Sequence, residues 1–85
     1  MYSIEWQKKA RKQLDKIADS DTRREIKNAV ATLADFSSAT QVKKLVNHRH
    51  EYRLRIGRYR VLFDVLDAVQ IVSIEEVKKR DDRTY

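Results

Sequence analysis

Residues 52–65, YRLRIGRYRVLFDV, contain the pattern that decides the fold of this chain. Two runs of alternating apolar and polar residues flank Gly57 and Arg58, and a glycine at the first turn position is typical of a type II′ β-hairpin. A two-residue turn fixes the strand register, so Arg55 should lie opposite Arg60. Because side chains alternate between the two faces of a strand, the apolar set should form one core-facing surface. That set consists of Tyr52, Leu54, Ile56, Tyr59, Val61 and Phe63.

The same register places three arginines, Arg53, Arg55 and Arg60, together on the opposite face. Like charges directly opposite each other on neighbouring strands cost up to about 1 kcal/mol. A bound anion would offset that cost, and in this interpretation the face is a phosphate-binding site. The alternative is a solvated face on which the arginines avoid one another, relieved by Glu75. A second two-residue turn, at residues 67–68, would place Glu75 opposite Arg60.

Two further strands complete the predicted sheet. Residues 69–77 are rich in valine and isoleucine and should continue the meander. Residues 2–6 form a short β-prone segment, which we interpret as an edge strand. Residues 36–47 are predicted to be a loop that contains one amphipathic piece, residues 42–46.

Two helices are predicted between the N-terminal strand and the hairpin. Residues 7–18 and 22–35 each carry an apolar stripe at i, i+4 and i+7. The residues between them, Asp19, Ser20 and Asp21, are good N-cap types, so one helix should end and the next begin there. A connection this short makes an antiparallel helical hairpin. The predicted fold class is therefore α+β, with an N-terminal strand and a two-helix hairpin packed on an antiparallel β-sheet.

Composition restricts the class of protein. Eighty-five residues suffice for a single domain, which we assign to residues 1–85. The chain has no cysteine, and no apolar run approaches the roughly 20 residues of a membrane span, so we expect a cytoplasmic location and no membrane partner. The formal net charge is +6 and the pI about 9.8. This charge fits either solubility alone or a polyanionic partner, because each neutralised phosphate releases counterions.

The tail brings more basic residues and a tyrosine towards the arginine face. Residues 78–85 contain four basic residues, and in a three-stranded meander they follow the strand end beside Arg60. Arg80 and Tyr85 should therefore approach the same face. Guanidinium groups bind phosphate and an aromatic ring stacks on an unpaired base, so the combination suits RNA.

Three stretches carry a resemblance to a known family: KKL at residues 43–45, the hairpin at residues 52–65, and VKKRDDRTY at residues 77–85. Together they resemble the RelE/ParE toxin superfamily, and the resemblance extends over the whole chain. It implies a RelE-like fold and a toxin of a type II toxin–antitoxin system, neutralised by a cognate antitoxin. It further implies a ribosome-dependent mRNA endoribonuclease that acts in the ribosomal A site with a basic cluster, without a metal or other cofactor.

The resemblance also implies roles for individual residues. Arg53 and Arg55 match the two basic residues of the family's second strand. Arg60 matches the arginine after the turn that stabilises the reacting phosphate, Arg80 matches the arginine of the tail, and Tyr85 matches the tyrosine that stacks on an mRNA base. The implied catalytic residues are Arg55, Arg60, Arg80 and Tyr85. The implied RNA-binding residues are Arg53, Lys78, Lys79 and Arg83.

One departure from the family pattern leaves the general base open. The best-known nucleases of the family have lysines where Arg53 and Arg55 stand, and an arginine stays protonated, so it is a poor base for a 2′-hydroxyl proton. The remaining candidates for the base are Lys78, Lys79, Glu75, His48 and His50. Two histidines at i and i+2 without a cysteine are a poor metal signature, so no metal is predicted.

Two other functions stay open at this point. One is a ParE-like, non-enzymatic poison of DNA gyrase with the same fold. The other is a simple nucleic-acid-binding module without toxicity. The full arginine and tyrosine set favours the nuclease over both.

Overall fold

The computed structural model describes residues 1–79. It contains a five-stranded sheet in the order β1-β5-β4-β3-β2. The strands are β1 (Ser3–Trp6), β2 (Val42–Lys44), β3 (Tyr52–Ile56), β4 (Tyr59–Leu66) and β5 (Ile71–Lys79). The α-helices are α1 (Lys8–Asp15) and α2 (Ser20–Ala31), and 3-10 helices span Thr32–Ser38 and Asp67–Val69. The predicted α+β class is confirmed.

The hairpin of β3 and β4 forms in the predicted register. Arg55 pairs with Arg60 and Ile56 with Tyr59 across the turn. Gly57 has a φ of +54°, a left-handed value that residues with a side chain adopt only at an energetic cost. The only glycine of the chain therefore stands where the turn needs it.

The core lies between this sheet and the two helices. Leu54, Val61 and Phe63 of the hairpin are at most 3% exposed. The predicted helical stripes pack against them: Ala10, Leu14, Ile26, Val30 and Leu33 are buried and Ile17 is partly buried. The predicted core face of the hairpin is thus confirmed.

The second helix begins within the predicted N-cap cluster, at Ser20, two residues before its predicted start at residue 22. Asp19 is the N-cap of α2, and one carboxylate oxygen accepts a hydrogen bond from the backbone N–H of Asp21 at 3.0 Å. The other oxygen accepts from Thr22 Oγ1 at 2.9 Å. The Thr22 bond is the largest cause that lowers the pKa of Asp19. Both α-helices are shorter than predicted, because α1 ends at Asp15 and the chain tightens into a 3-10 helix from Thr32.

The two edges of the sheet differ from the sequence-based expectation. β1 lies at one edge as predicted, but it pairs with β5 in parallel, so the sheet is mixed rather than purely antiparallel. The opposite edge is β2, which falls within the predicted loop and pairs antiparallel with β3. Three residues are too few to show a clear alternation in the sequence.

The connection from β4 to β5 corrects a second expectation. The turn is a 3-10 helix, Asp67–Val69, followed by Gln70 with a φ of +55°. A β-bulge then interrupts the pairing: Leu62 faces Glu76 while Phe63 faces Ile74. Glu75 is therefore the extra residue of the bulge, and the prediction that it lies opposite Arg60 is wrong.

No helix in residues 1–79 is both long enough and apolar enough to cross a membrane.

Candidate functional site

Five basic residues share the sheet face that is turned away from the helices. We call this the basic face: Lys43, Arg53, Arg55, Arg60 and Lys78. Arg55 pairs with Arg60, and Arg60 pairs on its other side with Lys78 of β5. Arg53 pairs with Lys43 of β2. The register thus gathers cations from four neighbouring strands into one surface.

The other predicted site residues are placed differently. Lys79 pairs with Tyr59, whose ring packs against the core, so strand alternation puts Lys79 on the helix-bearing face, apart from the arginines. Arg80, Arg83 and Tyr85 lie outside the described residues.

Two side chains on the same side of the sheet as the basic face, those of Leu62 and Glu76, are buried. Leu62 is 4% exposed, although it lies outside the main core cluster. Its partner Glu76 is only 7% exposed. A carboxylate is seldom this buried unless other charges compensate it.

His50 supplies one part of that compensation. Its Nε2 lies 3.3 Å from Glu76 Oε2, and its Nδ1 lies 3.3 Å from Asp64 Oδ2. The imidazole side chain is 11% exposed. Each ring nitrogen therefore faces one carboxylate oxygen. The ring is therefore held in one orientation between two acids.

Local hydrogen bonds hold Asp64 in position for this contact. The backbone N–H of Glu51 donates to Asp64 Oδ1 at 2.8 Å, which leaves Oδ2 directed at His50. Glu51 in turn accepts, through Oε1, from the backbone N–H of Val65 at 3.3 Å. The segment that carries His50 is thereby tied to β4.

Two lysines supply the rest of the compensation at Glu76. Lys9 Nζ of α1 lies 3.0 Å from Glu76 Oε1, and Lys78 Nζ lies 3.8 Å from the same oxygen. Burial alone would raise the pKa of Glu76, but the Lys9 hydrogen bond and the charges of Lys78, Lys9 and His50 outweigh it. The net effect is a pKa below the ordinary value, so Glu76 carries a stable negative charge beside the basic face.

This pKa predicts an acid-dependent loss of stability. A carboxylate whose folded-state pKa is lowered stabilises the protein above its unfolded pKa of about 4.3, and this contribution disappears as the pH falls through the folded value. The free energy of unfolding should therefore decrease below about pH 4.3, and Glu76→Gln should show a smaller decrease. Urea denaturation followed by circular dichroism at several pH values measures both.

Glu25→Gln, at an exposed position of α2, is the matched control. It should keep the full acid-dependent decrease of the wild type. If Glu25→Gln and Glu76→Gln flatten the profile equally, the ion pairs at Glu76 are not its source.

A cavity of about 230 Å³ opens beside His50 and the two glutamates of the bulge. Its lining residues are Gln7, Lys9, Arg49, His50, Glu75 and Glu76. The cavity therefore places His50, a potential proton acceptor, together with two cations, Lys9 and Arg49, next to the basic face. These are the components that a phosphodiester reaction needs.

The sequence indicated some of this site and missed the rest. The arginine pairing followed from one local turn. Lys43 was missed because β2 is short, and the cluster of His50, Asp64 and Glu76 was missed because its members come from three segments. His50 had been only one of five candidates for the base, and no pattern in the sequence singled it out.

Residues 4–83 match the model of a protein family described as the ParE toxin of the type II toxin–antitoxin system parDE. No curated protein matches the sequence of this chain at a significant level.

Several solved structures share the fold. The isolated Escherichia coli RelE toxin superposes with a TM-score of 0.79 at 20% identity, covering 95% of this chain and 86% of that one. The archaeal RelE–RelB complex from Pyrococcus horikoshii gives 0.77 at 23% identity, covering 95% and 97%. The RelBE2 toxin–antitoxin complex from Mycobacterium tuberculosis gives 0.65 at 25% identity, covering 93% and 98%.

Proposed function

Because this chain belongs to the RelE/ParE superfamily of type II toxin–antitoxin toxins, we propose that it is an endoribonuclease that cleaves mRNA on the ribosome. The observation that carries the proposal is the position of His50. It is held between Asp64 and Glu76 next to the basic face. A cation cluster alone binds RNA, whereas a cluster with an oriented imidazole also supplies a route for the proton.

The basic face binds the RNA backbone in this proposal. Arg55 and Arg60 face each other across the hairpin, and Lys78 continues the row on β5. Guanidinium groups donate in pairs to phosphate oxygens, and the row spans neighbouring strands about 5 Å apart. A phosphate bound between Arg55 and Arg60 relieves their mutual repulsion and gains charge stabilisation as it becomes pentavalent.

His50 acts as the general base. In the neutral ring one nitrogen donates its hydrogen to a carboxylate, while the other exchanges its carboxylate contact for the 2′-hydroxyl and removes the hydroxyl proton. The 2′-oxygen then attacks the adjacent phosphorus, the bond to the 5′-oxygen breaks, and the departing 5′-oxygen takes a proton from water. The products are a 2′,3′-cyclic phosphate and a 5′-hydroxyl end. After the transfer the ring can return to its position between Asp64 and Glu76, each 3.3 Å from one ring nitrogen, and the two carboxylates stabilise the imidazolium. Arginine cannot take this role, since it stays protonated.

Three of the other candidates for the base fit less well. Lys79 lies on the other face of the sheet, opposite Tyr59. His48 is exposed, and its Nδ1 accepts a hydrogen bond from the backbone N–H of His50. Glu75 accepts a hydrogen bond of 2.6 Å from Ser73 Oγ.

A reporter mRNA translated in a reconstituted bacterial system tests the proposal. Primer extension should reveal toxin-dependent breaks within the coding region when ribosomes are present and none on free mRNA. The second candidate, a gyrase poison, is favoured by the match to the ParE family model. It predicts intact mRNA and inhibited supercoiling of relaxed plasmid by purified gyrase, and that result would overturn the nuclease.

A cognate antitoxin is the protein partner we propose. The E. coli and Pyrococcus horikoshii relatives were solved as complexes with RelB antitoxins. Calorimetric titration with the product of the adjacent gene should give affinity at the nanomolar level or tighter. Absence of binding would count heavily against the assignment of this chain to a toxin–antitoxin pair.

Tyr85 is proposed to stack on an mRNA base. Base–aromatic stacking contributes about 1–3 kcal/mol, so Tyr85→Ala should lower the cleavage rate on programmed ribosomes by roughly 5- to 150-fold. Tyr85→Phe keeps the ring and should retain most of the activity. Equal losses in both variants would instead assign the role to the hydroxyl group, and no loss in Tyr85→Ala would remove the residue from the site.

A further inference from the structure

His50, Asp64 and Glu75 lie in a geometry that suits a divalent transition-metal ion. One ligand atom from each of the three residues lies within 4.8 Å of the others. The best-defined pair, His50 Nδ1 and Asp64 Oδ2, is separated by 3.3 Å. Two ligands about 2.1 Å from a tetrahedral Zn²⁺ are about 3.4 Å apart, so this pair already has the spacing of a zinc site.

Neighbouring groups hold these side chains as the outer shell of a metal site does. Glu76 Oε2 lies 3.3 Å from His50 Nε2, and a metal-bound histidine almost always donates its second ring N–H to a carboxylate in this way. The backbone N–H of Glu51 fixes Asp64 through Oδ1, and Ser73 Oγ donates to Glu75 Oε2. The His50 and Asp64 atoms already have the required spacing, and Glu75 completes the set when its carboxylate closes from within 4.8 Å to about 3.4 Å.

The charges also suit a cation at this point. Asp64 and Glu75 are carboxylates, and their side chains are partly buried. The nearby lysines, Lys9 and Lys78, contact a different acid, Glu76, and meet it at Oε1 rather than at the oxygen beside His50. Arg49 also lines the cavity, and its guanidinium group has to point away from the ion. An imidazole nitrogen together with two carboxylates favours Zn²⁺ over Mg²⁺, which prefers oxygen ligands.

From these contacts we infer that the chain binds one Zn²⁺ ion through His50, Asp64 and Glu75, with the cavity beside them open for a water ligand. The ligands come from the segment before β3, from β4 and from the bulge of β5. The spacing of His48 and His50 gave no metal signature, because only one histidine takes part and the carboxylates are distant in sequence.

Zinc at this site would inhibit RNA cleavage. The ion would bind the lone pair of His50 Nδ1, and Nε2 would donate its hydrogen to Glu76. Neither ring nitrogen could then accept a proton. This consequence rests on the proposed function, whereas metal binding itself does not. The two are separated by measuring binding without RNA or ribosomes.

Titration calorimetry with Zn²⁺ and visible absorption with Co²⁺ test the site on the full chain, made by chemical synthesis and refolded. We expect one equivalent of Zn²⁺ to bind and Co²⁺ to give the intense absorption of a tetrahedral complex. His50→Ala and Glu75→Gln should each weaken Zn²⁺ binding by on the order of tenfold or more. His48→Ala removes the neighbouring histidine and should keep wild-type affinity.

The Co²⁺ spectrum of the wild type needs no variant, so an unfolded mutant cannot obscure the result. A wild-type spectrum identical to that of aqueous Co²⁺, or an equal loss of affinity in His48→Ala and His50→Ala, overturns the site. If zinc binds as expected but mRNA is cleaved equally with and without it, the site stands and the role of His50 as base fails.

Discussion

Replacing Arg60 with alanine should lower the rate of mRNA cleavage on programmed ribosomes by about 10²–10³-fold, the usual effect of removing one donor that stabilises transition-state charge. Arg60 lies in the middle of the basic face, between Arg55 on β3 and Lys78 on β5. A phosphate bound between Arg60 and either of these neighbours contacts Arg60. A small shift of the RNA therefore cannot replace the contact that the substitution removes. Single-turnover cleavage of a ribosome-bound mRNA measures the change directly.

Arg58→Ala is the matched control, because Arg58 is an exposed turn residue only two positions away. It removes the same charge from the chain, yet it should change the rate little. Thermal unfolding of both variants should resemble the wild type. If the two variants cleave at the same rate, net charge rather than the position of Arg60 determines activity.

Replacing His50 with alanine or glutamine should have a similar or larger effect, about 10²–10⁴-fold, since general base catalysis contributes this much. The contacts to Asp64 and Glu76 hold the ring, and His50 lines the cavity where the ribose would enter. His48→Ala should remain active, because His48 is exposed on the preceding loop. If the two His50 variants are slow and His48→Ala is not, cleavage requires the oriented ring of His50. If all three are equally slow, any imidazole in this segment contributes.

A substrate with sulfur in place of the 5′-bridging oxygen identifies which proton His50 moves. A thiolate leaves without protonation, so this substrate rescues the loss of a general acid but not the loss of a general base. His50→Ala should therefore stay slow on the sulfur substrate. Rescue to the wild-type rate would assign His50 to the leaving group instead of the 2′-hydroxyl.

The sequence predicted those parts of the structure that depend on neighbouring residues. The turn at Gly57 and Arg58 alone determines that Arg55 faces Arg60, and the N-cap at Asp19 determines where α2 begins. Apolar periodicity was enough to identify the buried face of each helix. These features have short-range causes, and a single sequence contains them.

Features with long-range causes were missed or predicted wrongly. The pairing of Arg60 with Lys78 depends on a bulge that forms only when β5 packs against β4. The partners of His50 come from β4 and β5, at sequence distances that no local motif covers. The burial of Glu76 likewise depends on an ion pair with Lys9, which lies on α1. In each of these three cases the residues come into contact only when the sheet has folded.

The bulge in β5 also bears on how this chain tolerates the loss of a residue. Ile74 and Val77 both pack in the core, and the two glutamates between them occupy the space that plain alternation would give to one residue. A deletion of Glu75 therefore leaves Ile74 and Val77 inside and Lys78 on the basic face, whereas a deletion of Ser73 turns Ile74 out of the core. Relatives one residue shorter in this strand should carry their gap at this position. Such a lineage would keep the core and the RNA-facing cations, and it would lose one ligand of the proposed zinc site.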